Sequence, residues 1–169
     1  MADLLSHVLV AYVLLTVASW RVGPLSRRWV AVGMGGAAIP DLSKLGIIVP
    51  ERVVEGTLGV PFSYGPVSAL GGVVVVGGVV ALLFGRDHRR RAFAFLVAGG
   101  ATSLFVDGLR LTVDGRASRL LYPLTWRRPP SPNLYLSSDP RVLGVTVVLA
   151  TVVFLLDQPR SGTHDGRPE

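Results

Sequence analysis

The chain has 169 residues, half of them hydrophobic and only 17% charged, with a mean hydropathy of +0.51. Soluble domains carry about 25% charged residues, so the composition excludes a disordered chain, and the absence of cysteine excludes a disulfide scaffold or a thiolate metal site. The net charge of +6 rests on 17 basic residues that punctuate apolar runs instead of gathering on one polar face, which argues against nucleic acid and for anionic lipid headgroups.

The first apolar run, residues 4–20, holds no charged side chain and ends in Trp20-Arg21. Asp3 precedes it where a signal peptide would carry a positive charge, and no small-residue cleavage site follows, so it reads as a retained transmembrane helix. A polar turn over 21–28 contains Gly23 and Pro24. The second run, 29–40, closes at Pro40, which disfavours helical geometry at Ile39, and residues 51–59 then read as an amphipathic interfacial segment. The third run, 65–85, is uncharged and long enough to cross a hydrocarbon core of about 30 Å, with Gly71-Gly72 and Gly77-Gly78 as close-packing surfaces. The fourth, 92–113, is interrupted by Asp107 and Arg110. A proline- and aromatic-rich polar loop spans 114–141, and the last run, 142–156, is short for a span unless it borrows residues 134–136.

The expectation is therefore an all-α integral membrane protein with about five transmembrane helices in a small up-and-down bundle. Residues 1–157 would form a single multi-pass domain in the cell membrane, followed by a disordered polar tail over 158–169. The dense arginines of 86–91 favour placing that turn in the cytoplasm.

Ionisable groups inside such segments cost roughly 2.5–3.5 kcal/mol at a helix centre, so His7, Asp41 and Asp107 each need a reason. His7 lies at the start of the first helix, Asp41 at the end of the second and Asp107 late in the fourth. An up-and-down bundle brings the starts of odd helices and the ends of even ones to one membrane face. One imidazole and two carboxylates there would suit a divalent ion such as Zn, Mn or Mg, with Asp41 and Asp107 as the catalytic acids of a metal-activated hydrolysis. Plainer roles compete: an interfacial histidine, an Asp107–Arg110 pair at helical spacing, and Asp41 as a turn residue after Pro40.

Ser6-His7, Ile39-Pro40-Asp41-Leu42, the Ser103-Leu104-Phe105-Val106-Asp107 spacing, Leu121-Tyr122-Pro123-Leu124 and the segment 133–139 together resemble the membrane-bound metal-dependent hydrolase-like family, whose members are described as LexA-binding, inner-membrane-bound hydrolases. The resemblance runs from about residue 5 to about residue 157. It implies histidines at two further positions, and this chain has Ser68 and Ser103 there. A serine hydroxyl is a poor ligand for zinc or iron, so the resemblance implies a reduced site that is inactive or shifted toward an oxygen-binding ion. Two further alternatives stand: an active metal-dependent hydrolase on a lipid or lipid-linked substrate, and a non-catalytic membrane structural or transporter subunit.

Overall fold

A computed structural model of the chain describes residues 2–22, 26–136 and 139–161. It contains α1 (Ala2–Val22), α2 (Arg27–Ala37), a first 3₁₀ segment (Pro40–Ile47), α3 (Glu51–Leu58), a second 3₁₀ segment (Gly65–Ser68), α4 (Leu70–Ala81), α5 (Arg89–Gly108) and α6 (Pro140–Ser161). Among the described residues there is no β-strand, only two isolated bridges, Arg110 with Tyr135 and Arg116 with Pro130.

The expectation of about five transmembrane helices is overturned. Among the described residues two helices have the length and apolarity to cross a membrane, over Leu4–Arg21 in α1 and Pro140–Gln158 in α6. With 11 and 12 residues, α2 and α4 reach only about 17–18 Å, well short of a core of about 30 Å. The 20 residues of α5 open on Arg89, Arg90 and Arg91 and include Asp107, and it is not among the two.

The uncharged run 65–85 misled because its ends are not one helix. Pro66 holds residues 65–68 in a 3₁₀ turn, and Ala69 is extended (φ −125°, ψ 166°), so the α-helix starts only at Leu70. In the opposite sense, α6 exceeds its apolar run at both ends. It starts at Pro140 without residues 134–136, which belong to the preceding loop, where Leu134 N–H donates to Leu109 O at 2.9 Å. The tail expected from residue 158 begins inside α6; residues 162–169 lie outside the described residues, as do 23–25 of the first turn and Ser137 and Ser138.

Helix directions follow from the contacts. The start of α1 meets the end of α5 through His7 and Ser103, and the end of α1 meets the end of α6 through Trp20 and Asp157. Thus α1 and α6 run in parallel and α5 runs against them. α2 lies alongside α5 in the same direction, with Gly33 and Gly36 set against the backbone of Phe95, Leu96 and Gly99. A Cβ added to Gly99 would fall inside the van der Waals envelope of the Gly33 carbonyl, and one added to Gly36 inside that of the Leu96 carbonyl. Backbone therefore packs on backbone at this crossing, which only glycine permits.

The base of the bundle, the end that carries the start of α1, is closed by the loop between α5 and α6. Ser131 donates its hydroxyl to carbonyls at the end of α5, those of Gly108 and Arg110, and the Tyr135 hydroxyl donates to Val106 O at 2.9 Å. Ala117 N–H donates to Pro129 O and Ser131 N–H to Gly115 O, each at 2.9 Å, which folds the loop on itself. The loop also supplies the cap that the sequence of α4 lacks. Leu120 O and Tyr122 O accept the first two N–H groups of α4, from Leu70 and Gly71, both at 2.8 Å. Ile39, Val73, Leu104, Ala117 and Leu120 form the core beneath this cap.

Candidate functional site

The polar residues within the helices meet at that base. His7 is wholly buried on the first turns of α1. Pro40 opens the 3₁₀ segment that places Asp41 beside it, and α5 contributes Ser103 and Asp107, one turn apart on the same face. Ser103 Oγ lies 3.0 Å from His7 Nδ1. Asp41 Oδ2 stands 3.9 Å from the same nitrogen, and Asp107 Oδ1 stands 3.5 Å from Nε2. A serine hydroxyl can either donate to a ring nitrogen or accept from it, so the Ser103 contact suits both tautomers of the imidazole. The carboxylate distances are those of ion-pair neighbours across the ring, longer than ordinary hydrogen bonds.

Both carboxylates are largely shielded, with side chains 11% exposed at Asp41 and 21% at Asp107, against 1% at His7. Lys44 Nζ, one helical turn on, reaches Asp41 Oδ1 at 2.6 Å and closes the outer side of the cluster. The inner oxygen, Oδ2, is buried and makes no hydrogen bond with a described residue. One buried imidazole thus stands between two carboxylates on two different elements, α5 and the 3₁₀ segment.

This arrangement brings together the three residues expected from the sequence but does not focus them on one point. Nδ1 and Nε2 point to opposite edges of the ring; Asp41 faces one and Asp107 the other. Among the described residues, Asp41 is the carboxylate paired with Nδ1 and Asp107 the one paired with Nε2, a split unlike the three ligands that converge in a catalytic zinc site. Among the described residues no group of three or more His, Cys, Asp or Glu side chains could hold a metal ion. The described donor set therefore does not fit the Zn, Mn or Mg centre expected from the sequence. Nor is Ser103 placed as a nucleophile, since it is fully buried beneath the imidazole.

Ser68 and Ser103, the two positions where histidines were expected, lie apart. Ser103 belongs to the His7 cluster, whereas Ser68 donates its hydroxyl to Gly65 O at 2.8 Å and lines a different cavity. That cavity, about 620 Å³, opens under the start of α4 between the second 3₁₀ segment and the closing loop, and its wall includes Ser118, Arg119, Tyr122, Trp126 and Arg128. Neither His7, Asp41 nor Asp107 is among the described residues lining it. Sequence reading passed over these residues because they are scattered through a proline-rich loop without motif spacing. Their only signal was the alternation of arginine with aromatic residues over 116–128.

The opposite end of the bundle is pinned by a second polar set. Trp20 Nε1 donates to Asp157 Oδ1 at 3.2 Å, and Arg27 stands 3.7 Å from Asp157 Oδ2, which ties the ends of α1 and α6 to the start of α2. Trp29 stacks with His88 and Phe95, at centroid distances of 5.9 and 5.7 Å.

No family model matches the chain, and neither a curated protein nor a solved structure matches it.

Proposed function

We propose that the chain is a membrane-embedded protein of the cell membrane, crossing it more than once, and a catalytically silent relative of the membrane-bound metal-dependent hydrolase-like family. In this reading His7, Asp41, Asp107 and Ser103 form a buried polar clamp that locks α1, α5 and the 3₁₀ segment together at the base of the bundle. Its partner is the lipid bilayer. The observation that carries the silent reading is the placement of the two carboxylates on opposite nitrogens of one buried imidazole.

Membrane embedding is supported by which faces of α1 and α6 are covered. Only 28% of the α1 window and 17% of the α6 window are buried within the bundle, so neither is a core helix of the fold. Among the described residues of α6 the buried side chains are Thr146, Ala150 and Val153, while Val145, Val148, Leu149, Val152, Leu155 and Leu156 are exposed. Lipid is a matching solvent for an apolar face left uncovered along the helix. Trp20 and Trp29 at one end and Trp126 at the other sit where interfacial aromatic residues are enriched.

The test uses the full chain purified in detergent. The expected result is that no stoichiometric divalent ion copurifies and that added Mn or Zn leaves the melting temperature unchanged. A stoichiometric ion, or a rise of several degrees, would overturn the silent reading in favour of a metal-dependent hydrolase acting on a lipid-linked substrate. Membrane embedding is read separately: the protein should stay in the membrane pellet after alkaline carbonate extraction, and release into the supernatant would refute it.

A further inference from the structure

We propose that the cavity under the start of α4 binds a phosphate-bearing anion, with Arg119 as its principal cation. Arg119, Arg128, Ser63, Ser68 and Ser118 are among its lining residues; the Ser63 hydroxyl already donates to Glu51 Oε1 at 3.0 Å and the Ser68 hydroxyl to Gly65 O at 2.8 Å, so the arginines are the groups that would meet an anion. A concave surface of one sign concentrates counter-ions, and arginine's planar fork matches phosphate oxygens.

The two arginines differ in how far their charge is already used. Arg128 is committed to the loop: Nε donates to Ala117 O at 3.1 Å, Nη2 to Arg116 O at 3.2 Å, and Nη1 pairs with Asp114 at 2.6 Å. Arg119 is exposed and has no carboxylate partner among the described residues. Its guanidinium is held 5.7 Å from the Trp126 ring centroid, and Trp126 is braced edge-on by Tyr122 at 4.8 Å. A cation–π contact of this kind restrains the guanidinium while leaving N–H groups to a ligand. Arg119 thus lines the cavity with its charge unspent, whereas the charge of Arg128 is offset by Asp114.

Volume and surroundings narrow the ligand class. About 620 Å³ is far more than one phosphate fills, so the cavity has room for a phosphate with an organic substituent. Leu121 and Leu124, in the same loop as the lining residues Tyr122 and Trp126, are exposed, 47% and 78%. A cationic wall in a loop that also exposes apolar side chains suits a phospholipid headgroup, while the same wall would also take free phosphate or a soluble phosphate ester.

The experiment is isothermal titration of the full chain in maltoside detergent micelles, which carry no phosphate, with two probes, inorganic phosphate and short-chain phosphatidylglycerol. Wild type should bind saturably, and Arg119→Gln should weaken binding about tenfold or more, as expected for loss of one charge-assisted contact. Arg119→Lys should retain part of the affinity. Arg90→Gln, an exposed arginine on α5 at the far end of the bundle, should leave binding unchanged. Tighter binding of phosphatidylglycerol than of phosphate identifies a headgroup site; equal affinities identify a phosphate site. Absence of saturable binding, unchanged binding in Arg119→Gln, or equal weakening in Arg90→Gln would overturn the proposal. Because Arg119 is exposed and outside the core, a matching melting temperature confirms that the variant is folded.

Discussion

At the scale of single residues the informative position is His7, fully buried and yet surrounded by polar groups. Removing one member of a buried, mutually compensating set leaves the others uncompensated, which commonly costs several kcal/mol. His7→Ala would delete the Ser103 contact and leave Asp41 Oδ2 and Asp107 facing an empty space instead of a ring. The expected destabilisation is about 3 kcal/mol in denaturant unfolding. Asp107→Asn should cost markedly less in the His7→Ala background than in wild type, because the two side chains share one interaction. A loss below about 0.5 kcal/mol for His7→Ala, the range of ordinary surface changes, would remove its role as a clamp. The three residues of this cluster were legible in the sequence because each is an ionisable group in an apolar context. Their arrangement around the ring was not, since spacing along three segments says nothing of which nitrogen faces which carboxylate. Ser68 shows the same limit: its sequence position suggested the His7 site, but the extended Ala69 turns the second 3₁₀ segment toward the loop cavity.

At the scale of elements, two joints determine how the base is built. The first is the α2–α5 crossing, where Gly36 and Gly99 let backbone meet backbone. Gly99→Ala must push α2 away from α5, and overpacking of this kind costs about 1–3 kcal/mol. Gly35→Ala, on the same helix but with nothing within 4 Å of the added methyl, should be neutral or slightly stabilising through helix propensity. Thermal unfolding of the pair checks this, and equal effects would mean that the crossing is looser than described. Of the glycines singled out in the sequence, Gly71 and Gly72 of α4 do pack closely, against Pro123 and against Pro66 and Val67, whereas Gly36 and Gly99 of this crossing were not singled out.

The second joint is the loop staple at Asp114. Burial tends to raise its pKa, but hydrogen bonds from the Arg128 guanidinium and the Arg116 N–H outweigh it and hold the carboxyl below the ordinary aspartate range. A depressed folded value means that the staple's contribution is complete above the unfolded aspartate value and is lost as pH falls through the folded one. The loop should therefore keep its closed form somewhat into the acid range. In Arg128→Gln the Asp114 titration, followed by its carboxyl carbon resonance, should return toward ordinary aspartate. An unchanged midpoint would show that Arg128 does not hold it.

At the scale of the whole molecule the question is which solvent surrounds the bundle. Five apolar runs were legible, and each became a helix or part of one, but their lengths were not: Pro66 and the extended Ala69 shortened α4, and α2 stops three residues before Pro40. Run length in the sequence measures apolarity, whereas crossing a bilayer requires continuous helix, and among the described residues only α1 and α6 join the two. A single substitution on α6 separates the solvents. Val148 is 62% exposed near the middle of the Pro140–Gln158 window, so arginine there meets no packing obstacle. Facing water, such a change falls within about 0.5 kcal/mol of neutral. Facing hydrocarbon, it costs roughly 2.5–3.5 kcal/mol, enough to depress membrane insertion. The expected outcome for Val148→Arg is a clear drop in the carbonate-resistant fraction with Val148→Leu as the unaffected control. Equal membrane retention of the two variants would place that face of α6 in water and remove α6 from the membrane.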